Sequence, residues 1–428
     1  MVASRSYWLL LLVIGALVGH AFLTATNTYA EASGAGGGPA ALAQGLNPLS
    51  GIVVPTFGAY DIAATLLFPF VVIRLIAVER ETGALALMLQ APARFGAVIS
   101  AKGVALLLAW IASGIPGLAA LTWWSLMRGH LDAPEVLTVV AGHVLRGVMT
   151  IGVAAMAGAL AASAASAAIV ALTITLGTWA LDYAAAARGG VLETLAAYTP
   201  SAALRVFEQG ELRVSTVLVM LLIGVGGLGI AAEWLRVGRT RGRRCAGVAV
   251  VTAVVTVGAF ASSTLRASYD LSEDRRNSFS AADESALRHI VGPLDITVFL
   301  AAADPRLTDL ERGVFAKLRR IVPQVRITYA AKGRSGLFEK ADDHYGEVWY
   351  AVRGNKAMSR SATEEIVLES IYDVAGIAPP TRRDEAAYPG YPMTRTPRNV
   401  GLLFLLIWPL LLGAAWLWFR RVPIRRAR

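Results

Sequence analysis

A single cysteine, Cys245, stands among 428 residues. The chain can therefore form no intrachain disulfide, no cysteine-based zinc ribbon and no Cys-x-x-Cys redox pair. Charge is scarce as well: Asp, Glu, Lys and Arg make up 16% of the sequence, against about 25% in an ordinary soluble domain. The five histidines are scattered, and no His-Glu-x-x-His metal motif occurs. No Gly-x-x-x-x-Gly-Lys-[Ser/Thr] phosphate loop is present, which excludes ATP hydrolysis by that route. The glycine-rich "SGAGGG" (Ser33–Gly38) lacks both the lysine and the strand–helix setting, and reads as a flexible loop.

What is abundant is apolar. Hydrophobic residues make up 55% of the chain, the mean hydropathy is +0.55, and these residues come in runs of about 20, the length that crosses a bilayer. The fold class is a multi-pass α-helical membrane protein with about eight transmembrane helices, predicted over 7–26, 54–78, 100–126, 136–160, 165–183, 214–235, 246–265 and 399–419. The fourth and fifth are separated only by the small residues around Ala161–Ser166. Gly and Ala are plentiful in these runs, which suits close helix–helix approach in lipid. The first run, with Arg5 before it and "TYA" before Glu31, also has the marks of a secretory signal peptide.

The net charge of +10 is nearly all arginine, and its clusters flank apolar spans, which argues against nucleic acid as a partner. With the N-terminus inside, the inner segments hold Arg5; Arg80, Arg94 and Lys102; Arg236, Arg239, Arg241, Arg243 and Arg244; and Arg420, Arg421, Arg425, Arg426 and Arg428. The short outer loops hold far fewer. The positive-inside bias therefore places both termini in the cytoplasm and the polar stretch 267–396 outside. The run "WLRVGRTRGRRCAG" (Trp234–Gly247) divides a domain of about six helices, 1–240, from a seventh helix, 241–266. A domain with tether, 267–396, and a last helix with basic tail, 397–428, complete the chain. The arginine run is suited to anionic lipid headgroups as well as to setting topology.

The polar stretch has the texture of a small extracytoplasmic α/β domain between the last two spans. Strands are predicted at Leu294–Ala302, Gln324–Ala330 and Gly346–Gly354. Helices are predicted at Asp309–Val322, with Leu310, Val314, Leu318 and Val322 inward, and at Ala362–Gly376, with Ile366, Leu368, Ile371 and Val374 inward. The Pro- and charge-rich segment before the last span reads as an extended tether. Asp342, Asp343 and His344 form a candidate metal group, set against the plainer reading of a solvated loop. Ser285, His289 and Asp283 form a candidate hydrolytic trio without the strand–turn–helix setting a nucleophile needs. Within the spans, Asp61, His143 and Arg146 are either a polar lining or interhelical pairs such as Asp61 with Arg146, or else side chains reaching out from span ends. Arg74 is read in the last way.

One stretch asks for a specific explanation. "VERETGALALMLQAPARFG" (Val78–Gly96) comes directly after the second span with three consecutive charges, Glu79, Arg80 and Glu81, and Thr82 and Gly83 come next. Beyond them lies an apolar helical pattern too short to cross a bilayer, with Leu85, Met88 and Leu89 on one face, able to rest in an interface or a partner's groove. This stretch, with the "APAR" turn and Lys102 before the third span, resembles the permeases of the type-2 ABC exporter family over roughly residues 1–240. The resemblance implies that residues 79–92 are a coupling helix driven by a separate ABC ATPase subunit. ATP and magnesium would then reside on that partner, with no cofactor on this chain, no catalytic residue of its own, and a second permease half completing the transporter.

A second resemblance covers the polar module. Asp270, Leu271 and Ser272; Arg275; Ser278, Phe279 and Ser280; and Val298, Phe299 and Leu300 match the auxiliary domain of gliding-motility (Gld) type ABC transporter components. Ser280 before Asp283 and Glu284 is, independently, a helix-start signal. Permease first and auxiliary domain second implies a fusion of two adjacent subunits. A membrane scaffold or sensor that binds an envelope component is the other reading of the same architecture.

Overall fold

A computed structural model describes residues 5–35, 45–83, 95–188, 191–196, 198–236, 238–301, 304–330, 344–380, 388–393 and 400–421. Two compact units are present: Met1–Ala180 with Tyr198–Leu271 and Tyr388–Arg428, and Leu181–Ala197 with Ser272–Ala387. Among the described residues, eight helical segments are long and apolar enough to cross a membrane: 7–32, 49–81, 96–126, 133–160, 164–185, 214–235, 241–263 and 400–419. They coincide with the eight apolar runs. The largest differences are at ends where polar residues continue a helix that hydropathy alone cuts short.

In the first unit, α1 (Arg5–Ala32) packs on the second span. That span has a central helix, α2 (Val54–Ile73), between two π-helical turns at Leu49–Val53 and Arg74–Val78. Such turns widen the helix locally and re-aim the residues beyond them. Gly114 and Pro116 interrupt the third span between α3 (Phe95–Ser113) and α4 (Ile115–Leu126). The fourth, α5 (Ala133–Leu160), starts where the Asp132 carboxylate accepts from the Glu135 amide at 3.1 Å. It stops at Ala161, whose backbone is extended, so the break between the fourth and fifth spans is real. The fifth, α6 (Ala164–Arg188), and two short helices, α7 (Val191–Ala196) and α8 (Pro200–Glu208), lead to α9 (Val214–Leu235).

Helices α5 and α9 meet backbone to backbone. A Cβ on Gly152 would lie 2.2 Å from the Gly224 carbonyl oxygen, and one on Gly227 would lie 2.4 Å from Gly152. Glycine is required at this crossing, because any side chain would have to enter the other helix's backbone. The seventh span, α10 (Arg241–Ser263), leads into a two-stranded antiparallel ribbon of β1 (Glu211–Arg213) and β2 (Ser268–Asp270). The last span packs on the first. Phe404 and Trp408 fill the spaces left by Gly19 and Gly15, and the Trp408 indole donates to the Leu11 carbonyl at 3.1 Å. Just before it, the Pro-rich segment is hydrogen-bonded over 388–393. The Tyr391 amide donates to Leu46 O at 2.9 Å, Tyr29 Oη donates to Tyr391 O at 2.9 Å, and His130 stacks on the Tyr391 ring at 3.6 Å.

The second unit holds a four-stranded sheet of order β4-β3-β5-β6, with β3 (Leu294–Val298) parallel to β4 (Val325–Tyr329). β5 (Val348–Val352) is antiparallel to both β3 and β6 (Asn355–Ser359). Helices α11 (Ala281–Leu287), α12 (Pro305–Leu310), α13 (Ala316–Ile321) and α14 (Glu364–Ala375) supply the rest of its core. Alternation along the strands sends Leu294, Ile296, Val298, Val348, Tyr350 and Val352 into that core with Val314, Leu318 and Ile371. Asp295, Thr297, Trp349 and Ala351 therefore take the opposite face.

One expectation for this unit is corrected and one element is added. On α14, Leu368, Ile371 and Val374 are buried as the spacing predicts, whereas Ile366 is 46% exposed and its neighbour Val367 is buried instead. The hairpin β5–β6 is absent from the sequence pattern: its two-residue turn is Arg353-Gly354, both at positive φ (51° and 94°). A tight hairpin needs that conformation and usually builds it from Asn or Asp with Gly.

Candidate functional site

The charged entry Glu79-Arg80-Glu81 forms one helical turn at the end of the second span. All three side chains find partners inside the chain. Glu79 pairs with Lys102 of α3, and the Lys102 ammonium also donates to Leu75 O at 3.4 Å. Arg80 reaches the end of α5, where its guanidinium donates to the carbonyls of Ala159 at 2.8 Å, Ala161 at 2.6 Å and Ala162 at 2.9 Å. Glu81 Oε1 accepts from the Ala164 amide, at the start of α6, at 2.8 Å.

The signs are those that helix ends require. The last carbonyls of α5 lack intrahelical donors and carry partial negative charge, which a guanidinium satisfies; the first amides of α6 lack acceptors and carry partial positive charge, which a carboxylate satisfies. Adjacent residues of opposite charge thus grip both sides of one turn, while Glu79 holds the base of the third span. Gly83, at φ 74°, closes the motif in a conformation that side chains disfavour. The sequence pattern points these charges at a contact with a partner; the structure shows them engaged within the chain. Leu85, Met88 and Leu89 lie outside the described residues. The three backbone carbonyls that Arg80 holds have no signature in sequence.

The second candidate lies among the long apolar helices. Arg146 on α5 and Asp61 on α2 form a buried ion pair, Nε to Oδ1 at 3.1 Å, with side chains 3% and 12% exposed. Thr65 Oγ1 donates to the same carboxylate oxygen at 3.1 Å. His143 lies one turn earlier on α5, in ring contact with Phe57 at 5.2 Å and Tyr60 at 5.7 Å. It is buried, and neither ring nitrogen has a hydrogen-bond partner among the described residues. The Tyr60 hydroxyl donates to Trp110 O at 3.1 Å, and the Trp110 indole donates to His143 O at 2.9 Å. These bonds tie α2, α3 and α5 around the polar group. The pairing spares both charges much of the cost of burial in hydrocarbon. Arg74 is exposed.

Glu208, at the end of α8, is not among the residues that the sequence singles out. It feels the same charges: burial and Asp61 push its carboxyl up to about 7, against the opposing pull of Arg205 and Arg146. Its only sequence signal is an acid closing an otherwise amphipathic helix.

The remaining candidates separate. Asp342 and Asp343 lie outside the described residues; His344 Nδ1 donates to Glu347 Oε2 at 2.9 Å, and the described residues contain no metal-binding group. Asp283 is buried, accepting from Ser280 Oγ at 2.8 Å and Tyr372 Oη at 2.7 Å, and its amide donates to Ser280 Oγ. Among the described residues, His289 Nδ1 meets only the backbone oxygen of Ser285, at 2.7 Å. The trio is thus a helix cap and a helix turn. Comparison of the chain with protein-family models, with curated proteins and with solved structures found no match in any of the three.

Proposed function

We propose that the chain is the permease subunit of an ABC transporter, an exporter by its resemblance, which moves a substrate across a prokaryotic inner membrane using ATP hydrolysed on a separate subunit. The observation that supports this most is the charged turn at 79–81. An anchor has no use for a cytoplasmic-side turn whose three charges hold the bases of the second, third, fourth and fifth spans together. A transporter driven from outside the bilayer needs such a junction, because a push on the segment after Gly83 must reach several helices at once. The resemblance puts a coupling helix immediately after it, with Leu85, Met88 and Leu89 toward the ATPase. In this reading both termini are cytoplasmic, residues 267–396 are extracytoplasmic, the basic segments meet anionic lipid, and a second permease half completes the pathway.

The test is purification of the tagged chain from its native host in mild detergent, with identification of co-purifying proteins and assay of ATP hydrolysis. An ATPase recovered with the unaltered chain and lost with Leu85→Asp supports the reading. Recovery of an envelope component without any ATPase would replace it with the scaffold or sensor.

A further inference from the structure

The face of the sheet turned away from its helices carries a cavity of about 300 Å³, lined by Asp295, Thr297, Phe299, His344, Trp349 and Lys356 with Ala351. That volume lies at the lower end of small-ligand sites, about 300–1,000 Å³. The strand register explains why it exists. Lys356, Ala351 and Asp295 lie side by side across β6, β5 and β3, and Met358, Trp349 and Thr297 form the next row. Small side chains at Ala351 and Thr297 leave a floor between the taller Trp349, Lys356 and Asp295.

The walls are held in place from behind. The Glu347 carboxylate, with 8% of its side chain exposed, accepts from the Trp349 indole at 3.0 Å and the Arg360 guanidinium at 2.9 Å, and is bonded to His344 Nδ1 at 2.9 Å. These partners hold its carboxyl well below the usual range, at about 2. Next to His344, the Tyr345 hydroxyl donates to Asp304 at 2.9 Å, and Arg306 makes two bonds to the same carboxylate. Two cavity walls, His344 and Trp349, are therefore set by one shielded anion. Charge-assisted bonds of this kind are the ones that fix orientation.

The lining selects a chemistry. With its N–H occupied by Glu347, Trp349 offers a ligand only its ring surface, and Phe299, which contacts the His344 ring at 5.6 Å, adds a second apolar wall. Polar groups of both signs stand around these rings: the Asp295 carboxylate, the Thr297 hydroxyl and the Lys356 ammonium. Among the described residues neither Thr297 nor Lys356 has a side-chain partner, and Asp295 meets Arg326 only at 3.9 Å. Lys356 opposes an organic cation and Asp295 opposes an anion. A neutral ring with one apolar face and a rim of hydroxyls satisfies every group. We infer that this face is a binding site for a neutral saccharide, of one or two rings, stacked on Trp349 and hydrogen-bonded by Asp295, Thr297 and Lys356. The site lies wholly within residues 295–356 and stands whether or not the chain is a transporter.

The test uses the full chain in lipid nanodiscs, titrated calorimetrically with three neutral disaccharides: chitobiose, cellobiose and maltose. Tetramethylammonium and citrate serve as cationic and anionic probes. Saturable binding of at least one disaccharide is expected. It should be about tenfold weaker in Trp349→Ala and in Lys356→Ala, and weakened in Glu347→Gln, which removes no lining side chain but loosens the two that Glu347 orients. Lys356 is exposed on the edge strand, so its variant carries the test if Trp349→Ala does not fold. The inference is overturned if no disaccharide saturates the site, if a charged probe binds in its place, or if binding survives both lining substitutions unchanged.

Discussion

Arg80 makes three hydrogen bonds to carbonyls on both sides of the break after α5, a task suited to a planar fork of donors. A lysine keeps the charge but offers a single point. Arg80→Lys should therefore leave the protein folded while lowering its thermal midpoint in detergent by a few degrees, and, under the proposed transporter function, should sharply reduce ATP hydrolysis by the complex. Equal activity in the two proteins would show that charge alone suffices. For the buried pair the expectation is asymmetric. Arg146→Leu strands Asp61 and should cost about 3–5 kcal/mol, as should Asp61→Leu. The double substitution should recover most of the loss, and a double-mutant cycle of unfolding in detergent reads the coupling directly. Additive losses would mean that the two charges do not depend on one another.

At the scale of elements, the crossing of α5 and α9 leaves no room for a methyl group. Gly152→Ala should drive the helices apart and destabilise the protein by about 1–3 kcal/mol, whereas Gly177→Ala on α6, with open space around it, should be neutral or mildly stabilising. Thermal unfolding of the two variants side by side checks this. In the β5–β6 turn, Arg353 holds a φ of 51° that Asn or Gly adopts at less cost. Arg353→Asn should slow hydrogen exchange of the hairpin amides. Elements also differ in how far the sequence announces them. The eight spans are legible, because about 20 apolar residues in a row have few other fates, and so are Leu310, Val314, Leu318 and Val322, whose helical spacing all four obey by being buried. The β5–β6 hairpin is not, because Arg-Gly is a rare substitute for Asn-Gly. Asp61 and Arg146 are visible as charges out of place in apolar runs, with their pairing as one option. The partners of Arg80 are backbone atoms, and those of Glu81 likewise, so no residue type announces them. Glu208 gains its character from burial first and from Asp61 on another helix second, neither of which its own stretch of sequence displays.

Taken whole, the molecule should answer acid in two opposite ways. Glu208 in the first unit has its folded pKa raised to about 7. Its favourable contribution is present in full below the ordinary carboxyl pKa of about 4.3 and is lost as pH rises through about 7. In the second unit Asp304 and Glu347 are depressed to about 2. Their contribution is present above the ordinary carboxyl range, near 4, and is lost as pH falls toward 2. Between pH 7 and 5 the first unit should therefore gain stability while the second stays level, and Glu208→Gln should flatten the first trend. Tryptophan fluorescence and hydrogen exchange recorded through the same pH series separate the two units.

The grip of the last span on the first has a further consequence. Trp408 and Phe404 sit in the notches of Gly15 and Gly19, and Tyr391 is bonded to Leu46 and Tyr29, so the last span and residues 388–393 before it are retained by noncovalent contacts as well as by the covalent chain. A polypeptide broken between Ile377 and Tyr388 should stay assembled, its two pieces recovered together on a tag carried by either one. The continuous chain is then one of two workable gene arrangements, since the same protein could be supplied as a pair of complementing fragments.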